Sequence, residues 1–235
     1  MTNTTTNMAI RGISSMATRQ LLAELVADYT KQTDIDIQIE SVGGVNAANR
    51  VMAGEVFDVV FLASDAIDKL ITSGHIDANS KVDLVNSGVA VAVRSGTAYP
   101  NIASEAALKA AVLAAKTISY STGPSGVALA KLFERWGIAE QIANRIVQAA
   151  SGVPVGSLVA KGEVALGFQQ LSELIHLEGI SIVGPLPPEI QITTTFSAGV
   201  CTASTQAGAV REMLAYMVSP AAAAAKLRQG MEVTG

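Results

Sequence analysis

Residues 35–70 read IDIQIESVGGVNAANRVMAGEVFDVVFLASDAIDKL. Ile35, Ile37 and Ile39 alternate with Asp36, Gln38 and Glu40, the period of two that marks a half-buried strand. A small-residue loop, Ser41-Val42-Gly43-Gly44, leads into a helical segment over residues 45–52. Residues 57–62 (FDVVFL) are almost continuously apolar, as strands covered on both faces are. Ser64 and Asp65 then open an amphipathic helix through Ile67, Leu70 and Ile71. Strand, helix, strand, helix in this order predicts an α/β fold of mainly parallel sheets flanked by helices.

The same rhythm continues in both directions. Toward the N-terminus, residues 8–13 read as a strand, and Ser14-Ser15 cap a helix whose stripe Leu22, Leu25, Val26 and Tyr29 runs to about Gln32. Toward the C-terminus come a long strand (85–93), an Ala-rich helix (105–115), a strand (117–120) and a helix through Trp136 ended by Gly137. Strands at 145–148, 164–168 and 180–183 follow with short helices between, then a long strand at 193–201 and two helices ending near Gln229. The two long strands are the expected hinge crossings between two lobes. Lobe one takes residues 8–88 and 196–235, lobe two residues 89–195, a ligand cleft lies between them, and residues 1–7 form a disordered tail.

Composition narrows the function. Of 235 residues, 49% are hydrophobic and 15% charged, with mean hydropathy +0.38, enough apolar surface to offset chain entropy. A net charge of −4 lacks the basic footprint that nucleic acid requires. No apolar run approaches the roughly 20 residues of a membrane span, so no membrane insertion is expected. Cys201 is the single cysteine and forms neither an internal disulfide nor a thiolate cluster. HExxH, GxxxxGK[ST] and GxGxxG are absent, so no metal and no organic cofactor are expected. The opening residues carry no basic segment followed by an apolar one; the expectation is a cytoplasmic protein, or a periplasmic one whose signal has been removed.

Four strand-to-helix junctions share a small, polar chemistry: Ser14-Ser15; Gly43, Gly44 and Val45; Ser121, Thr122, Gly123, Ser125 and Gly126; and Val153 and Pro154. Free amides and the positive end of the dipole at a helix N-terminus bind anions without a cation, and in open α/β sheets ligands lie at the carboxyl ends of strands. Any one of these junctions is also an ordinary cap or turn. Arg19 and Arg50, in the helices after the first two junctions, are candidate carboxylate clamps; the alternative is a solvated helix face. Gln169 and Gln170, after the strand at 164–168, offer amide donors to the same ligand or form a polar turn. His75 and His176 sit at helix ends and read as caps, Cys201 as a buried inert thiol, and Ser125 lacks the GxSxG elbow. For catalysis the loops offer only Tyr120, Glu173 or Lys131 as a base.

In this order, the stretches GISSMATRQLLAEL, SVGGVNAANRVMAGEVFDVVFLASDAIDKL, STGPSGVALAKLFERWGI and GVPVGSLVAKGEVALGFQQLSEL resemble the periplasmic molybdate-binding proteins of ABC importers and, more widely, type II periplasmic binding proteins. The resemblance implies a two-lobed fold in which Ser14 or Ser15, Gly44 or Val45, Ser125, Val153 and Gln170 contact a small anion, with an importer permease as partner if the protein is exported. Gly43-Gly44 stands where molybdate binders carry a serine, and Gln170 where they carry a tyrosine. Fewer hydroxyls suit a tetrahedral oxyanion less well, and with Arg19 and Arg50 nearby a small carboxylate becomes a candidate. Aconitate isomerase, which shifts a double bond in a tricarboxylate, is also similar to this family; the alternative function is such a cofactor-independent isomerase.

Overall fold

The computed structural model describes residues 9–234; the expected tail at residues 1–7 lies outside them. The described residues form two compact units, one of residues 9–85, 195–228 and 233–234, the other of Asn86–Thr194 with Gln229–Glu232. Residues 229–232, within the expected lobe one of residues 8–88 and 196–235, group with the second unit.

In the first unit, β1 (Ile10–Ser15) passes through a 3-10 turn (Met16–Thr18) into α1 (Arg19–Thr33). The helix ends at Asp34, which adopts the left-handed conformation and donates its N–H to the Thr30 carbonyl. β2 (Ile37–Val42), α2 (Gly44–Met52), β3 (Val59–Ala63) and α3 (Ser64–Thr72) complete the opening pattern, and β4 (Val82–Arg94) carries the chain onward. β1 pairs in parallel with β2 and β3. Ile13, Val60 and Leu62 pack under α2 and α3 against Ala47, Val51, Ile67 and Leu70. All five residues of β3 are buried, which accounts for its unbroken apolar run.

The second unit contains α4 (Glu105–Ala114), β5 (Ile118–Tyr120), α5 (Pro124–Arg135), α6 (Ala139–Ile142), α7 (Val155–Ala160), β6 (Leu166–Gln170), α8 (Leu171–Leu174) and β7 (Ile180–Pro185). β5 and β6 are parallel; β6 and β7 each run antiparallel to β4. Its core gathers Val91, Leu129, Phe133, Phe168 and Leu186, with Phe133 edge-on to both Tyr120 and Phe168. The chain returns through β8 (Thr193–Val200), antiparallel to β3, followed by α9 (Ala207–Val218), α10 (Ala223–Arg228) and β9 (Glu232–Val233).

The architecture is α/β with helices flanking the strands, and the pairing is mixed rather than mainly parallel because β4 and β8 run against their neighbours. The strand expected at 145–148 reduces to an isolated bridge between Ile146 and Ile118. β6 begins and ends two residues later than expected, which places Gln169 and Gln170 inside the strand.

Candidate functional site

The alternation of side chains along β1 sends its two terminal serines to opposite faces. Ser14 lies in register with Ser41 of β2, and their hydroxyls are 2.7 Å apart, so Ser14 is engaged within the sheet. Ser15 is 7% exposed, and its Oγ has no hydrogen-bond partner among the described residues. It faces the start of α2: a Cβ built on Gly44 would lie 3.5 Å from that of Ser15. Gly43 is the N-cap of α2 and supplies no side chain to its amides; the first helical bond runs from Ala47 N–H to the Gly43 carbonyl at 2.9 Å. A buried hydroxyl without a partner thus sits beside an uncapped helix end, an arrangement suited to an anion.

The two candidate arginines differ. Arg50 donates to Glu40 through Nη1 and Nη2 at 2.7 and 2.8 Å and to Glu55 through Nε and Nη2 at 2.7 and 2.6 Å, and its guanidinium lies over Phe57. Those bonds hold both carboxyls below the usual carboxylate range. Arg50 is therefore a structural cation rather than a free clamp. Arg19 is exposed, and its side chain makes no ion pair or hydrogen bond among the described residues; it lines a groove between α1 and β2.

In the second unit, Ser121, Thr122 and Gly123 lead from β5 into α5. Gly123 is the N-cap and, like Gly43, leaves the first amides without a side-chain partner; Pro124, at the first position, lacks an N–H that would have had none. Ser125 and Gly126 follow, both buried. The turn is tight: a Cβ on Gly126 would lie 1.8 Å from the Ser121 carbonyl oxygen. Val127 N–H makes the first helical bond, to Gly123, which leaves the Ser125 and Gly126 amides free of helical partners.

The fourth junction is occupied by the protein itself. Val155 and Gly156 donate their N–H groups to Gln169 Oε1 at 2.8 and 3.4 Å, and Gln169 Nε2 donates to Glu173 Oε1 at 2.8 Å. The Val153 amide closes a turn onto Ala150, and Pro154, as N-cap of α7, has no N–H. Gln170 is likewise internal. Its side-chain oxygen accepts from Thr194 Oγ1 at 2.8 Å, while its nitrogen donates to Ser87 Oγ and the Ser87 carbonyl, both at 2.9 Å. This amide orientation satisfies both ends of the group, whereas the opposite one sets two acceptors face to face. Gln169 and Gln170, expected as ligand donors, brace α7 and the strands around them.

Among the candidate bases, the Tyr120 ring is part of the core, with its hydroxyl pushed upward first by burial and then by Glu134. Lys131 is exposed along α5. Burial pushes Glu173 up to about 7, opposed by the bond from Gln169. His75 Nδ1 pairs with Ser73 Oγ at 2.9 Å, and His176 Nε2 with Gln229 Oε1 at 2.6 Å. Burial and then Asp58 push the Cys201 thiol up to about 12, an inert group. Among the described residues no cluster of three or more His, Cys, Asp or Glu could hold a metal, and no helix is long and apolar enough to cross a membrane. The sequence reading did not single out Ser41; its signal is the parallel register that places it opposite Ser14.

Comparison with known proteins adds four findings. A family model described as bacterial extracellular solute-binding protein matches residues 10–232. An aconitate isomerase from Pseudomonas sp is 36% identical over 226 residues, spanning 94% of this chain and 86% of that protein. Among solved structures, the periplasmic molybdate-binding protein of Azotobacter vinelandii superposes with a TM-score of 0.80 at 20% identity, covering 96% of this chain and 100% of that one. A periplasmic thiamin binding protein gives 0.78 at 15% identity, covering 100% and 86%.

Proposed function

The chain belongs to the bacterial extracellular solute-binding proteins, and from that premise we propose that it binds a small anion through hydroxyl and main-chain N–H donors rather than through a cation. The observation that carries this reading is the buried Ser15 hydroxyl, unpartnered beside the uncapped start of α2. In the proposal, Ser15 and the first amides of α2 supply one set of donors, and Ser125 with the first amides of α5 supplies the other. Ser15 belongs to the first unit and Ser125 to the second, and β4 and β8 carry the chain from one unit to the other. A small polycarboxylate is favoured over a tetrahedral oxyanion, because the relative at 36% identity is an aconitate isomerase by name. Delivery to the permease of an ABC importer is the role that follows for an exported protein of this family.

A second reading, conversion of the bound acid, has its own support in that identity along 94% of the chain. Shifting a double bond within aconitate removes a proton from one allylic carbon and returns a proton to the other, with no net oxidation. A group with a pKa near neutrality suits both steps. Glu173, at about 7, is the proposed carrier.

One experiment addresses both readings. Purified protein is titrated by calorimetry with cis-aconitate, trans-aconitate, citrate, sulfate and molybdate, and each aconitate mixture is then followed by proton NMR. Saturable binding of a polycarboxylate without new resonances is expected for the binding protein; appearance of the other isomer, lost in Glu173→Gln, is expected for the isomerase. No binding of any of these anions overturns the proposal.

A further inference from the structure

The groove beside Arg19 lies within the first unit, on the α1 face of β2, whereas Ser15 points to the opposite face, toward α2. β2 pairs with β1 on one side. The groove has a volume of about 600 Å³, within the range of small-molecule sites. One wall is the side of α1 that carries Leu22, Ala23 and Val26; the floor is Ile37 and Ile39, which alternate onto the same face of β2 as Ser41.

The helix runs back along the strands, so the polar groups gather at one end. Arg19 opens α1 just after the carboxyl end of β1, and Ser41 stands near the carboxyl end of β2; Val26 and Ile37 lie at the far end. Arg19 to Val26 spans about 10 Å of helix, and Ile37 to Ser41 about 13 Å of strand. The result is a channel with a cationic head and an aliphatic tail. The head charge is unmatched: Arg19, like Arg11, Arg94 and Arg145, has no ion pair among the described residues, whereas Arg50, Arg135, Arg211 and Arg228 each pair with a carboxylate, and of the unpaired arginines it is Arg19 that lines this groove.

We propose that this groove is a second ligand site, separate from the Ser15 junction, which takes an amphipathic monocarboxylate with its carboxylate on Arg19, beside the Ser14–Ser41 hydroxyl pair, and its aliphatic chain along Leu22, Val26, Ile37 and Ile39. A guanidinium matches a carboxylate bidentately, and the chain length set by the groove is that of a medium-chain fatty acid. A neutral alcohol of the same length lacks the partner for Arg19, and an alkylammonium ion is repelled by it.

The test is calorimetric titration of the full chain with decanoate below its micelle concentration, with decanol and decylammonium as controls. Saturable binding of decanoate alone is expected, weakened about tenfold in Arg19→Gln and abolished in Ala23→Trp. Ala23 is exposed, so tryptophan there fills the groove without entering the core. Ala23→Trp is expected to leave the affinity for the anion bound best among those titrated above unchanged, which separates failure of this site from failure of the first. Four results each overturn the proposal: no binding of decanoate, equal binding of decanol, decanoate affinity unaltered by both variants, or competition between decanoate and that anion. Sedimentation that shows a dimer dissociated by Ala23→Trp overturns it in favour of a second copy of the chain on the edge of β2.

Discussion

Ser15 and Lys226 are both buried with an unpartnered polar atom, and the two have opposite meanings. Ser15 lies against a helix start that offers more donors, and in the proposed site the ligand meets its open hydrogen bond; without a ligand, the hydroxyl is a cost. Ser15→Ala is therefore expected to hold or raise the stability of the ligand-free protein, by up to about 1 kcal/mol, while weakening anion binding about tenfold or more, as loss of a hydrogen bond to a charged group does. Denaturant unfolding and calorimetry on the same variant read the two signs; equal losses in both would make Ser15 a structural residue. Lys226 is fully buried in α10, and burial lowers its pKa. Its folded pKa lies below the unfolded value of 10.5, so the unfolded chain binds the proton more readily. The penalty is present in full below the folded pKa and disappears as pH rises to about 10.5. Lys226→Met, which keeps the volume without the charge, is expected to raise stability at pH 7 by about 1–3 kcal/mol, seen as a shift of the urea midpoint at constant slope.

The junction loops act through their helices, and here glycine matters more than hydroxyl. Gly126→Ala forces a methyl onto the Ser121 carbonyl oxygen, so the turn from β5 into α5 must open. The expected cost is about 3 kcal/mol, with anion binding lost even in the folded fraction; unchanged affinity would remove the α5 start from the site. These junctions were legible because strand ends followed by small residues follow from local pattern alone. What pattern could not show was which junctions are filled from inside. The apolar run that ends at Phe168 hid two further strand residues, because Gln169 and Gln170 are buried by partners outside that run: Glu173 one helical turn on, and the α7 amides, Ser87 and Thr194 farther off in sequence. The partners of Arg50 are hidden from pattern in the same way. Glu40 and Glu55 meet its guanidinium only once β2 and the loop after α2 are in place. Ser14 and Ser15 look equivalent in sequence; register and face separate them.

For the molecule as a whole, the proposed site offers anions main-chain dipoles in a chain of net charge −4, and cations such as Arg50, Arg211 and Arg228 are held by the protein's own carboxylates. Global stability should then depend on pH through Glu173, among the described residues the carboxyl raised to near neutrality. Glu173 binds its proton more tightly folded, at about 7, than unfolded, at 4.5. Its contribution is complete below 4.5 and is lost as pH climbs through about 7, a change of roughly 3 kcal/mol if the full shift is expressed. The surface carboxylates Glu40, Glu55, Asp77 and Glu105 are shifted downward by their partners, so their contributions disappear only as pH falls through the acid range and leave the window above 4.5 to Glu173. Stability measured by urea unfolding should decline between pH 5 and 7 in the native protein, and Glu173→Gln should flatten that decline while keeping a hydrogen-bond partner for Gln169. A decline that persists unchanged in Glu173→Gln would assign it to another group and leave Glu173 without the proton that both the stability argument and the isomerase reading give it.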